Sequence, residues 1–276
     1  MAQELTDLSR LCVHTITTKP WPIEKAAQEF AQVGIGGITV WRDALANQNI
    51  PETGQMLRDL NLHVVSLCRG GFFPALDAGS RQAAIDENKK AIDEAAALGA
   101  PHVVLVCGSA PGQSLEKSRE QIQEGIAACL PHAQDAGVKL AIEPLHPMYA
   151  GDRSAVNTLG QANDMAEALN SLWVGIAVDV YHLWWDPDLE NQIKRCGQNG
   201  NLAAFHICDW KTPTLDMLND RGLMGEGCID LKKIRGWVEA TGFNGFNEVE
   251  IFSNIYWQQD QHQFLEKIKE GYLKHS

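Results

Sequence analysis

Residues 139–147, KLAIEPLHP, read as a short apolar strand that ends on a carboxylate, Glu143, and passes straight into a loop. The same grammar recurs downstream: VGIAVDV (174–180) ends near Asp179, LAAFHIC (202–208) near His206 and FNEVEIF (246–252) near Glu250. Upstream, RLCVHTI (10–16), GITVWRD (37–43), HVVSLCR (63–69) and HVVLVCG (102–108) are further apolar runs. Short runs rich in Val and Ile, separated by longer amphipathic segments, predict eight strands alternating with helices.

The helical segments include residues 22–34, 81–99, 114–137, 230–242 and a final one over 260–275. Gly34, Gly99, Gly137 and Gly242 fall where a helix is expected to stop on a left-handed residue. Parallel strands need crossovers and helices supply them, so eight strand–helix pairs predict an α/β fold, a (β/α)8 TIM barrel. A doubly wound open sheet is the competing arrangement. It lacks support because no GxGxxG turn follows the first strand and polar strand ends persist to the eighth.

A chain of 276 residues that is 45% hydrophobic can bury the core of one barrel, which commonly takes about 250 residues. A single domain over residues 1–276 is therefore expected. The net charge of -12 excludes an extended nucleic-acid surface, which needs clustered Lys and Arg. The start, MAQELTDLSR, lacks a basic region and an apolar run, and no stretch is apolar for long enough to span a bilayer. The seven cysteines include no CxxC pair and suit reduced thiols packed in a core. A cytoplasmic protein without membrane or nucleic-acid partners is expected.

Side chains alternate faces along a strand, so Ala141 shares a face with Glu143, Ala177 with Asp179, Ala204 with His206 and Glu248 with Glu250. Small residues beneath a polar tip suit a crowded barrel interior. Glu250 lies nearer the strand end than Glu248 and is the better ligand of the two. In a parallel barrel the strand ends converge on one mouth, so Glu143, Asp179, His206 and Glu250 can meet around one divalent cation. Three carboxylates and an imidazole form a hard set suited to Mn²⁺ first, with Mg²⁺, Co²⁺, Fe²⁺ and Zn²⁺ as other occupants.

Over nearly its whole length the chain resembles the xylose isomerase-like superfamily of sugar isomerases and epimerases. The likeness is to the single-metal branch of ketose 3-epimerases, inosose isomerases and dehydratases, and 3-oxo-glycoside lyases. It is carried by residues 15–43, by IEPLHPMYAGDRSAVNT (142–158), DVYH (179–182), FHICDW (205–210), RGLMGEGCID (221–230) and VEIF (249–252). The resemblance implies Glu143, Asp179, His206 and Glu250 as metal ligands, and His182 and Arg221 as substrate contacts. It also implies enediolate chemistry, with Glu143 and Glu250 moving a proton on opposite faces of a keto sugar or cyclitol. The eighth strand runs into FSNIYWQQD (252–260) with no Gly-rich phosphate site, so an unphosphorylated substrate is expected.

His146 stands three residues past Glu143 and is a further acid/base candidate, the feature that opens a lyase or dehydratase as the alternative activity. Trp41 and Arg69 fall at strand ends, where substrate contacts concentrate in barrels. Trp184, Trp185 and Trp210 are read either as stacking surfaces or as packing, and Asp152 with Arg153 as a loop ion pair. An endonuclease of the related repair branch would need a three-metal cluster and a basic surface, and a non-enzymatic barrel would be expected to lack a ligand. Soluble barrels commonly associate, so a homo-oligomer is expected, with a hetero-subunit as an option for the lyase.

Overall fold

All eight apolar runs become strands of one closed parallel barrel in the computed structural model, which describes residues 4–276. Residues 1–3 of the expected 1–276 domain lie outside the described residues. Strands β1 (Leu11–His14), β2 (Gly37–Trp41), β3 (His63–Gly71), β4 (His102–Val106), β5 (Lys139–Glu143), β6 (Val174–Asp179) and β7 (Leu202–Ile207) pair in sequence order. A two-stranded ribbon follows, β8 (Asp209–Trp210) with β9 (Arg221–Gly222), before β10 (Asn247–Val249) closes the ring between β7 and β1. Closure is direct, with Cys12 opposite Glu248 on one side and Val249 opposite Ile207 on the other. The open-sheet alternative is thereby excluded.

Helices α1 (Ile23–Gln32), α2 (Ile50–Asp59), α3 (Ala78–Leu98), α4 (Leu115–Ala136), α5 (Leu159–Leu169), α6 (Val180–Leu183), α7 (Leu189–Gln198), α8 (Leu231–Ala240) and α9 (Gln261–His275) complete the chain. In α1, Ile23, Ala26, Ala27 and Phe30 are buried, the spacing of a single apolar stripe. Asp77, Ser114, Thr158 and Asp230 cap the starts of α3, α4, α5 and α8 by accepting from backbone amides of the first turn. Gly99 and Gly137 end α3 and α4 at φ 89° and 68°, conformations that a Cβ disfavours. None of the described helices is long and apolar enough to cross a membrane.

Apolar packing falls into two compartments. Outward-facing strand residues such as Val103, Leu105, Leu140, Ile142 and Ile176 join the helices in the main core. Inside the barrel, Cys68, Val104, Ala141, Ala177 and Ala204 form a separate small-residue layer beneath the mouth. The alternation expected from the sequence thus sets small side chains under the polar strand ends. At the end of β3, Gly71 has φ 108°, and a Cβ there would come 1.9 Å from the Val106 carbonyl oxygen. Asn88 of α3 fixes this strand end by accepting from the Gly71 amide at 2.6 Å and donating to its carbonyl at 2.7 Å.

Replacing Leu140, fully buried between barrel and helices, by alanine should cost about 2–5 kcal/mol in denaturant unfolding. The same change at Leu172, 89% exposed, should shift stability by less than about 0.5 kcal/mol. Equal effects would contradict the assignment of the core.

Candidate active site

Glu143 ends β5, Asp179 ends β6, His206 lies in β7 and Glu250 directly follows β10, so neighbouring strands bring the four to one level of the mouth. Asp179 stands opposite His206 in the sheet register. All four are buried, and one potential ligand atom from each lies within 4.8 Å of the others. His206 Nδ1 is 3.0 Å from Glu143 Oε1 and 3.9 Å from Glu250 Oε2. Both His206 Nδ1 and Glu143 Oε1 are nonetheless buried without a hydrogen bond. Buried polar atoms are rarely left so, and donor atoms that converge without bonding one another fit a shared cation.

The electrostatics agree with that fit. Burial alone would push the His206 imidazole down, but Glu248, Glu143 and Glu250 overcome it and raise it to about 10. Burial raises the Asp179 carboxyl to about 7 against the pull of Arg221. A field that holds a proton so firmly on an imidazole favours any small cation at the same place. Three carboxylates converge here against the single Arg221 guanidinium, an excess of acidic groups that suits a bound cation.

One layer deeper, Glu248 is buried beneath His206, whose Nε2 is 3.8 Å from Glu248 Oε2. The same oxygen accepts from Thr39 Oγ1 at 2.6 Å and lies 3.2 Å from His14 Nε2. Burial would raise the Glu248 carboxyl, yet His206 and His14 hold it down at about 2. His14 Nδ1 in turn stands 3.2 Å from Glu250 Oε1, so His14 links the two glutamates of the last strand. Glu248 and His14 are thus the supports of the ligand layer. The period-two pattern placed Glu248 on the correct face, and its partners Thr39 and His14 come from strands distant in sequence.

Arg221 sits on the ribbon opposite Trp210 rather than in an open loop. Its Nη1 donates to Asp179 Oδ2 at 3.0 Å and Glu250 Oε2 at 2.7 Å, and its Nη2 is 3.2 Å from His182 Nε2. Burial would raise the Glu250 carboxyl, but Arg221 and His14 keep it well below the usual range. The segment behind Arg221 is organised by buried Asp209, which accepts from the amides of Trp210, Gly225 and Ile229. Gly227 is required there, since a Cβ would come 2.1 Å from the Trp210 carbonyl oxygen.

Above these groups lies a cavity of about 190 Å³, lined by Glu143, Glu250, His182, Arg221, Trp41 and Arg69 together with Tyr149, Arg153 and Leu218. Six predicted site residues therefore share one wall system with each other. Its roof is the segment after β8, where the Met217 carbonyl accepts from the hydroxyls of Tyr149 and Tyr181, the latter at 3.1 Å. Neither tyrosine was singled out by sequence, because the partner of both hydroxyls lies in a segment remote along the chain.

Other expectations resolve differently. His146 is absent from the cavity lining; its Nδ1 accepts from the Met148 amide at 3.2 Å, and its ring packs 5.1 Å from Trp210 and 5.7 Å from Trp185. Trp184, Trp185 and Trp210 also stay out of the lining, and Trp210 packs on Tyr181 at 4.7 Å. The expected Asp152–Arg153 ion pair does not form. Arg153 instead turns to the cavity, with its guanidinium 5.6 Å from the Tyr149 ring centre.

Known proteins share this barrel fold. The inosose isomerase of Halalkalibacterium halodurans is 26% identical over 207 residues, covering 72% of this chain and 70% of its own. The crystal structure of protein SMc04130 from Sinorhizobium meliloti 1021 superposes with a TM-score of 0.93 at 50% identity, covering 96% of this chain and 98% of its own. A crystal structure of the IOLI protein with a bound zinc atom shares the fold with a TM-score of 0.84 at 21% identity, covering 96% of each chain. Residues 27–268 match the family described as xylose isomerase-like TIM barrel, and the chain belongs to that family.

Proposed function

We propose that this protein is a divalent-metal-dependent isomerase or epimerase acting on an unphosphorylated keto sugar or cyclitol. The observation that carries the reading is the convergence of Glu143, Asp179, His206 and Glu250 at the floor of a cavity of small-molecule size. Kinship with inosose isomerases over most of their length supports the substrate class. Zinc in the IOLI structure supports a divalent ion in general. Manganese remains the first choice for this chain on the chemistry of its donors, which are mostly carboxylate oxygen.

When bound, such a cation would supply Lewis-acid stabilisation of charge developing beside a carbonyl. The chain's own residues do the rest. Glu143 and Glu250 face the cavity from β5 and from the end of β10, which β6 and β7 separate around the ring. From those positions one carboxylate removes a proton from a carbon next to the carbonyl, and the other returns a proton on the opposite face. Arg221 orients Asp179 and Glu250 and, with His182, presents donors to substrate oxygens. Trp41 and Arg69 contribute the wall, and the Met217 roof limits water. A lyase that uses His146 has less support, because that ring is engaged by Trp185, Trp210 and the Met148 amide. A cytoplasmic homo-oligomer is part of the same proposal, supported only by the acidic composition and by the tendency of barrels to associate.

The test is an NMR assay in D2O with inososes and keto sugars. Metal-loaded protein should convert one of them to an isomer with deuterium incorporated at the carbon next to the carbonyl, and chelation should stop the exchange until Mn²⁺ is restored. Exchange that persists after complete metal removal would refute the reading. Glu143→Gln and Glu250→Gln should each reduce turnover by about 10²–10⁴-fold. Full activity of either under saturating Mn²⁺ would remove that residue from the acid/base pair. Glu248→Gln, acting through His206, should weaken metal affinity by about 10–100-fold in a direct metal titration. Unchanged affinity would make Glu248 a purely structural group.

A further inference from the structure

Two guanidinium groups in the cavity wall have no carboxylate partner. Arg69 and Arg153 both line the cavity that holds Glu143 and Glu250. Arg69 lies over the Phe72 ring at 4.6 Å, and its Nη1 is buried without a hydrogen bond. Among the described residues neither arginine forms an ion pair, although the chain has 35 acidic residues against 23 basic ones. Burial and the nearby Arg153 charge both lower the Arg69 pKa, and Glu143 and Asp43 act on Arg69 only through the field. Arg221, by contrast, forms ion pairs with Asp179 and Glu250.

Packing alone does not account for this pair. Removing Arg69 Nη1 from water without a hydrogen-bond partner is unfavourable, and the Arg153 charge nearby makes it more so. An acidic protein has many carboxylates with which to relieve the cost, and Glu143 and Glu250 share the cavity, yet none among the described residues comes within ion-pair distance of either arginine. The balance is restored if the partner arrives with the ligand. A guanidinium fork matches an oxyanion through two parallel N–H donors, which a neutral hydroxyl cannot reproduce.

We propose that the substrate carries an oxyanion substituent, held by Arg69 and Arg153 while its keto-polyol portion lies over Glu143 and Glu250. This deepens the proposed function and rests on it: the substrate class becomes a keto-polyol acid, with a carboxylate as the oxyanion because that reading takes an unphosphorylated substrate. Arg69 and Arg153 are specificity-determining residues.

The experiment uses three probes with one carbon skeleton: D-fructose, D-fructuronate and D-fructose 6-phosphate. Each is titrated by calorimetry into the full chain loaded with Mn²⁺, after a titration of Mn²⁺ alone. D-fructuronate should bind at least about 10-fold more tightly than D-fructose. In Arg69→Gln and Arg153→Gln that preference should fall below about 3-fold, with Mn²⁺ affinity retained. Equal affinity of neutral and anionic probes in the wild-type protein, or no binding of either anionic probe, overturns the proposal without recourse to any variant. So does a preference that survives both substitutions. Tight binding of D-fructose 6-phosphate alone upholds the oxyanion site and overturns the carboxylate. Failure of Mn²⁺ itself to bind counts instead against the metal-dependent function, so the two failures are distinguishable.

Discussion

Four carboxylates buried inside one barrel repel one another and resist leaving water, and most of the site is arranged to meet that constraint. Glu143, Asp179 and Glu250 share the mouth, and Glu248 lies just beneath them. Three of the groups nearby answer particular oxygens: Arg221 takes Asp179 and Glu250, His14 joins Glu248 to Glu250, and Thr39 donates to Glu248. Unpaired buried carboxylates would protonate and lose their use as ligands or bases. The ribbon, with Asp209 behind it, puts Arg221 where it reaches two of them.

The same constraint separates rigid from adaptable parts. Strands β5, β6, β7 and β10 carry the converging donors on paired backbone, while Tyr149, Arg153 and Leu218 reach the cavity from connecting segments. Barrel enzymes in general keep chemistry at strand ends and selectivity in loops. Here the division is visible residue by residue. Glu248 also joins the closure strand to β1 and β2 through His14 and Thr39, so ring closure and support of the donor layer involve the same carboxylate.

The barrel was legible because each strand is a short apolar run and each ligand candidate stands at the end of one. Glu143, Asp179 and His206 each follow a small residue two positions earlier, and the structure turns those alanines into the inner layer. Arg221 was legible only by resemblance, since nothing local shows that its segment becomes a strand facing Asp179. Arg153 was misread because Asp152 precedes it, whereas its direction is set by Tyr149 and by the turn of residues 149–153. His146 illustrates the converse. Its spacing from Glu143 points to the mouth, but contacts with Trp185 and Trp210, remote in sequence, draw the ring aside.

The roof over the cavity is gripped by its main chain: Tyr149 and Tyr181 both hold the carbonyl of Met217, whose side chain is exposed. A carbonyl is common to every amino acid, so the anchorage is encoded in the two tyrosines and not in the segment they hold. Within the segment Asp216 fixes the turn by accepting from the amides of Leu218 and Asn219, so residue types can drift at exposed positions such as Leu215 and Met217 while the path is kept. Such a roof lets a lineage explore new selectivities at Leu218 without first having to reinvent the cover.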